Sequence, residues 1–292
     1  MIKLDDAHKK FIKDLESQNK SSSTLLAYGK DIEQLSNHLS KRGVNLVSEI
    51  KLEDLQSFMD KLANDNYTPK SISRKTNSTK TFFKFLKAEN HVDDNVADLL
   101  KHPKVESKAP RILSRLEYRA LRDAARGDMR TYAMVEVLLQ AGLTISELAG
   151  MKIEEISKLD TTDGSILSVP KRNNKEARLI PLNKAVLEAL NKYLADGRPD
   201  VDGPHLFVTK TGKALLVRNI RSTIDKYFKL AGIEKAKVND LRHTFVAHHL
   251  GSGVSIVEIS RIAGHKRLST TERYLEFIER PESQEKTELG VL

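Results

Sequence analysis

One segment constrains the fold before any other. HPKVESKAPR, residues 102–111, has two prolines, four basic residues counting His102, and no helical stripe. Proline fixes φ and removes a backbone donor, so a helix does not run through such a stretch. The chain therefore reads as a first domain over 1–101, a linker over 102–112 and a second domain over 113–292. At 292 residues, 39% of them hydrophobic, it can bury a core in each part.

The first part predicts helices only. Leu4, Phe11, Ile12 and Leu15 keep helical spacing, as do Tyr28, Ile32, Leu35 and Leu39, ended near Gly43. Leu52, Leu55, Phe58, Met59 and Leu62 form a third stripe. A fourth helix runs from about Pro69, suited to a first turn, to Leu86. It also carries Lys70, Arg74, Lys75 and Lys80, which either grip phosphates or form a solvated face.

The second part mixes elements. Ser114 with Glu117 makes a capping box, and a further helix spans about Thr131 to Ala141 and stops at Gly142. SILSVP and ARLIPL are β-prone runs around KRNNKE, which predicts a hairpin turning at Asn173-Asn174 with a basic tip. LFV (206–208) reads as another short strand, and helices resume near Leu216. Ser255 with Glu258 opens a helix ending at Gly264; Ser269 with Glu272 opens one carrying Tyr274. The expected fold is mainly α with a small β-hairpin or sheet.

Composition narrows the partners. The chain has no cysteine, which excludes disulfides, thiol catalysis and cysteine-ligated zinc, and fits the cytoplasm. No apolar run is long enough to span a membrane, and the N-terminus is too polar for a secretory signal. The net charge is +9, divided as +3 over 1–110 (19 basic, 16 acidic) and +6 over 111–292 (30 basic, 24 acidic). A polyanion such as DNA would be held by both parts rather than by one tail.

Four stretches now stand together: AGLTISELAG (141–150), the hairpin around Lys171, VNDLRHTFVAHHL (238–250) and GHKRLSTTERY (264–274). In order and spacing they resemble the tyrosine recombinase, or phage integrase, family in its compact Xer-like form. The resemblance covers nearly the whole chain, with the first hundred residues similar to a helical core-binding (SAM-like) domain and the rest to the catalytic domain. It implies a site-specific DNA recombinase. A tyrosine attacks the scissile phosphate, forms a 3′-phosphotyrosine link and releases a 5′ hydroxyl, without metal, ATP or other cofactor.

Without a metal, cationic side chains must stabilise the charge on the phosphate. By resemblance Tyr274 is the nucleophile, Arg242 an arginine on the phosphate and His265 its hydrogen-bonding partner. Lys171 is the acid for the leaving oxygen, with Lys175 a rival because the hairpin is one residue longer than usual. Glu147 is a carboxylate that orients the site. Arg172, Lys175, Arg218 and Arg221 join the α-helical lysines and arginines as DNA-binding candidates. His243, His248 and His249 read as packing or surface groups. Double-stranded DNA is the expected partner, bound by a homotetramer or hetero-assembly; Phe277, Ile278, Leu289, Val291 and Leu292 either dock between protomers or belong to a frayed terminus.

Two positions depart from the family. GLTISEL puts Thr144 where the first arginine belongs, and NDLR puts Asn239 where a histidine belongs. Loss of one preorganised donor costs about 3–4 kcal/mol of transition-state stabilisation, and Arg130, Arg172 and Arg178 are candidates to fill the gap. Two other readings stay open: a relative that binds recombination sites but cuts poorly, and a helix-turn-helix regulator built on residues 255–276.

Overall fold

The structure, a computed structural model, describes residues 1–106, 108–158, 165–172 and 175–278. The expected turn at Asn173-Asn174 and the docking residues Leu289, Val291 and Leu292 lie outside them. The chain forms two compact units, Met1–Lys108 and Ala109–Leu292, so the break falls inside the expected linker. The described residues of 102–112 carry no helix or strand.

The described residues of the first unit form four α-helices: α1 (Leu4–Ser17), α2 (Ser22–Lys41), α3 (Leu52–Asn64) and α4 (Pro69–Ala88). Ser21 caps α2 and Thr68 caps α4, each hydroxyl accepting from the backbone N–H three residues on. Their stripes meet in one core, where Phe11 packs edge-on against Phe82 at 5.2 Å. A polar knot sits beside it. Buried Asp31 accepts from Arg74, from Lys75 at 2.7 Å and from Ser78 at 2.7 Å. Lys75 is therefore no phosphate contact: its side chain is 4% exposed and committed to Asp31.

The second unit holds α5 (Arg115–Ala125), α6 (Met129–Gln140), α7 (Ile145–Ala149), α8 (Lys184–Lys192), α9 (Val217–Leu230), α10 (Val238–Gly251), α11 (Ile256–Ala263) and α12 (Ser269–Glu272). The Ser114–Glu117 capping box is present at the start of α5. Three antiparallel strands, β1 (Ile156–Lys158), β2 (Ser165–Val169) and β3 (Arg178–Leu182), form a sheet in that order, with Leu167 opposite Ile180. The hairpin is thus the larger part of a three-stranded sheet. Alternate β3 residues Arg178, Ile180 and Leu182 face inward.

Several expectations change. Residues 206–208 are buried but make only the isolated bridge Val208–Ala214, not a strand. Residues 184–197, read without an element, form α8 and a π turn, capped by Asn183. Ser269 caps nothing: Leu268 precedes α12 in helical conformation, so the helix has no polar N-cap there. Tyr274 lies on the 3-10 turn Arg273–Glu276 that follows. With four residues in α12 and Tyr274 buried, this segment cannot present the recognition helix a helix-turn-helix reader needs. Among the described residues no helix is long and apolar enough to cross a membrane.

Candidate active site

Arg242 projects from α10 into the second unit's core and is 7% exposed. Its two terminal nitrogens donate to Gly142 O, just past the end of α6, and to Ala263 O, at the end of α11. Helix C-termini leave carbonyls unpaired and carry partial negative charge. A buried guanidinium is what such carbonyls can hold, and two of them fix its plane. Burial pushes its pKa down, but arginine stays charged.

The end of α11 also places His265. Gly264 adopts φ +68°, and its N–H bonds Arg261 O while that of His265 bonds Ser260 O at 2.9 Å. These paired bonds end the helix through a left-handed residue, which glycine adopts without strain. His265 Nδ1 lies 2.7 Å from the hydroxyl of buried Thr271. With Thr271 donating, Nε2 carries the proton and can donate to a phosphate. Burial, reinforced by Arg242, Lys175, His243 and Arg178, pushes the imidazole down to about 4, so it is neutral at pH 7.

Glu147 gathers the rest. It accepts from the Thr144 N–H and hydroxyl, both at 2.8 Å, which makes Thr144 the N-cap of α7. Arg178 donates to its two oxygens at 2.9 and 3.1 Å, and Lys175 Nζ lies at 3.2 Å. Burial alone would raise its pKa. The Arg178 bonds and the Thr144 N–H, with the charges of Arg178 and Lys175, outweigh burial and hold it down to about 2. Arg178 also donates from Nε to Ile262 O, and its guanidinium lies against Gly264. Arg178 and Lys175 thus share one carboxylate, whose charge also acts on Arg242, leaving an excess of positive charge next to His265. Lys175 is half-buried; burial lowers its pKa, Arg242 and Arg178 add to that, and Glu147 opposes it.

Tyr274 closes the cluster at 6% exposure. Its ring stacks on His265 with centroids 6.4 Å apart and planes 12° apart, and its hydroxyl lies 2.6 Å from His243 Nδ1. Burial raises the phenol pKa, while Arg242 and Arg273 pull it down.

A family model for the phage integrase family matches residues 106–279, and one for the phage integrase N-terminal SAM-like domain matches residues 9–90. The chain belongs to the phage integrase family. It is 32% identical to a tyrosine recombinase XerD of Proteus mirabilis over 88% of this chain and 83% of that one. It is 31% identical to a tyrosine recombinase XerC of Leptospira interrogans over 93% and 89%. A structure of XerH recombinase bound to palindromic difH substrate shares the fold, with TM-score 0.75 and 16% identity over 92% and 82% of the two chains.

For a phage integrase family member the departures sit as follows. Thr144 is a helix cap, and the arginine beside it is Arg178 from β3, rather than Arg172 or Arg130. Arg172 donates to Gly150 O at 2.6 Å and pairs with Glu155, whereas Arg130 donates to Val208 O at 3.0 Å. Lys171 is not brought to the cluster: it is 64% exposed and pairs with Glu176 at 3.2 Å, while Lys175 reaches Glu147. Asn239 is exposed and faces His243 rather than Arg242.

Among the DNA-binding candidates Lys70, Arg74, Arg218 and Arg221 are exposed, and Lys80 donates to Asp98 O at 3.1 Å. Phe277 is exposed at 40% and Ile278 packs on the core. Two further residues belong to the cluster. His243 follows Arg242 directly and touches the nucleophile position. Arg178 opens the RLIPL strand as an inward-facing residue, and strand alternation marks it.

Proposed function

We infer that this protein is a site-specific DNA recombinase that cuts and rejoins double-stranded DNA through a 3′-phosphotyrosine link. The observation that carries the reading is one cluster drawn from four separate stretches. Tyr274, Arg242, His265, Lys175 and the Glu147–Arg178 pair meet around one small volume. Such a set suits a phosphodiester: a phenol to attack, fixed cationic groups for the non-bridging oxygens, and an ammonium near the leaving oxygen.

In this reading Arg242 and His265 Nε2 hold the phosphate. Arg178 supplies the second guanidinium that position 144 lacks, and Glu147 keeps it and Lys175 in place. Lys175, with its lowered pKa, protonates the leaving 5′ oxygen. The phosphodiester energy is kept in the tyrosine link, so rejoining needs no other energy source. The DNA is held by a protein assembly on paired sites, in the cytoplasm where such sites lie.

A nicked suicide substrate tests this. Wild type should accumulate a covalent protein–DNA adduct that survives denaturation, and Tyr274→Phe should give none. Binding without any wild-type adduct would leave the reading of a site-binding relative that no longer cuts, which Thr144 favours.

A further inference from the structure

The phenol of Tyr274 must lose a proton when it attacks phosphorus; an ordinary phenol keeps that proton at neutral pH, and burial raises its pKa further. Among the described residues, His243 Nδ1 is the basic nitrogen in hydrogen-bond contact with Tyr274 Oη, at 2.6 Å. The other basic groups of the cluster are engaged. His265 Nδ1 is on Thr271, and Lys175 Nζ is on Glu147. His243 projects from α10 one residue after Arg242, so a single helix turn serves both the nucleophile and the phosphate.

The second ring nitrogen has a partner too. The Asn239 amide nitrogen Nδ2 lies 3.4 Å from His243 Nε2, one turn earlier on the same helix; amide nitrogen and oxygen exchange places by a half-turn. That half-turn presents the carbonyl oxygen to Nε2–H. This tautomer leaves the Nδ1 lone pair free to accept. Nucleophile, base and orienting group then stand in one line, the arrangement that activates serine and cysteine nucleophiles on unrelated folds.

We propose that His243 is the catalytic base that takes the Tyr274 proton, and that Asn239 is the positioning residue that fixes its tautomer. The proposal rests on the reading of Tyr274 as nucleophile and adds the fate of its proton. As the Tyr274 Oη–phosphorus bond forms and the bond to the 5′ oxygen breaks, the phenol proton passes to His243 Nδ1 and a Lys175 proton passes to the 5′ oxygen. In rejoining, an incoming 5′ hydroxyl gives its proton to Lys175, and His243 returns its own to the phenolate. Atoms and charge balance over the cycle.

The setting suits a base. Burial, helped by Arg242 and opposed by Asp240, lowers the His243 pKa, so the ring is neutral and able to accept at pH 7. The titratable groups around it are Asp240 and Arg242 on α10, Tyr274 on the 3-10 turn, and His265 in the preceding loop. The position Asn239 occupies thus gains a role distinct from contacting phosphate.

The test separates base from acid. Nicked suicide substrates are prepared with either the natural 5′ oxygen or a bridging sulfur at the scissile phosphate. Sulfur leaves without protonation, so it relieves the loss of an acid but not of a base. His243→Gln should lower adduct formation about 10²-fold or more on both substrates. Its rate should climb with pH between about 7 and 9 as the phenolate fraction grows. Lys175→Ala should be rescued by sulfur. Asn239→Ala should show a smaller loss that shrinks as pH rises.

Rescue of His243→Gln by sulfur, or His243→Gln rates within about threefold of wild type with an unchanged pH profile, would overturn the proposal. If His243→Gln does not fold, Asn239→Ala decides, since that side chain is exposed: a pH-independent effect, or none, overturns it. Wild type forming no adduct on either substrate would instead sink the nucleophile reading beneath it.

Discussion

At the scale of single residues, Arg178, proposed as the second arginine, is the telling case. Thr144 and Arg178 both reach Glu147, from α7 and from β3. Arg178→Ala should lower adduct formation by about 10³-fold or more while DNA binding persists. An arginine at 144 would extend from beside the same carboxylate, so Thr144→Arg in the Arg178→Ala background should recover part of that loss in the same assay.

Glu147 gives a pH signature. Its folded pKa, about 2, lies below the ordinary value of 4.5. The stabilisation is therefore complete above about 4.5 and is lost as pH falls toward 2. It amounts to on the order of 3 kcal/mol. His265 works in the same direction: depressed from 6.5 to about 4, it favours the folded state fully above 6.5 and progressively less below. Denaturant melts across this range should show stability falling from pH 6.5 downward, with Glu147→Gln removing the most acidic limb.

Tyr274, Arg242 and His265 were legible because their types and spacing coincide in one pattern. The choice between Lys171 and Lys175 was not. Side chains along a hairpin alternate between faces, so one extra residue changes which lysine points inward, and only the folded register decides it.

At the scale of elements, helix ends place the site. Gly264 is left-handed, and a Cβ there would lie 3.0 Å from the Arg178 guanidinium. Gly264→Ala should therefore cost more than the ordinary about 1 kcal/mol of backbone strain. It should also depress cleavage by moving Arg178 and His265 together, seen as a lower melting temperature with reduced adduct yield. Gly142 meets the same double constraint, since a Cβ would sit 2.3 Å from Phe245.

Helices α1 to α4 were readable because each has one apolar face and a polar one. In contrast, α10 is buried from Val238 through Leu250 on nearly every side, including Asp240, Arg242 and Thr244. Such a helix has no stripe to detect. The strand β1 is three residues long and too short to show alternation. Residues 206–208 have strand composition but are held by packing, with Leu206, Phe207 and Val208 at most 1% exposed.

At the scale of the whole molecule, charge is the readable quantity. Both units carry positive excess and each has its own core. Binding to DNA should weaken steeply with salt, in proportion to the number of phosphates neutralised. Replacing exposed Lys70, Arg218 or Arg221 by alanine should each reduce the log–log salt slope by about 1. Lys75→Ala should leave the slope unchanged and lower the melting temperature, because Asp31 loses its buried cation and keeps only Arg74 and Ser78. Filter binding at graded ionic strength, paired with thermal melts, separates the two behaviours.

The neighbouring placement of Arg242 and His243 on α10 has a consequence for the balance of the reaction. One stiff rod carries the groups for forward attack and for return, so any change that tilts it alters both by the same factor. Loosening its seat against Gly142 should delay the approach to equilibrium yet leave the final ratio of recombined to parental DNA untouched. A tilt in α10 would register as tempo, never as direction.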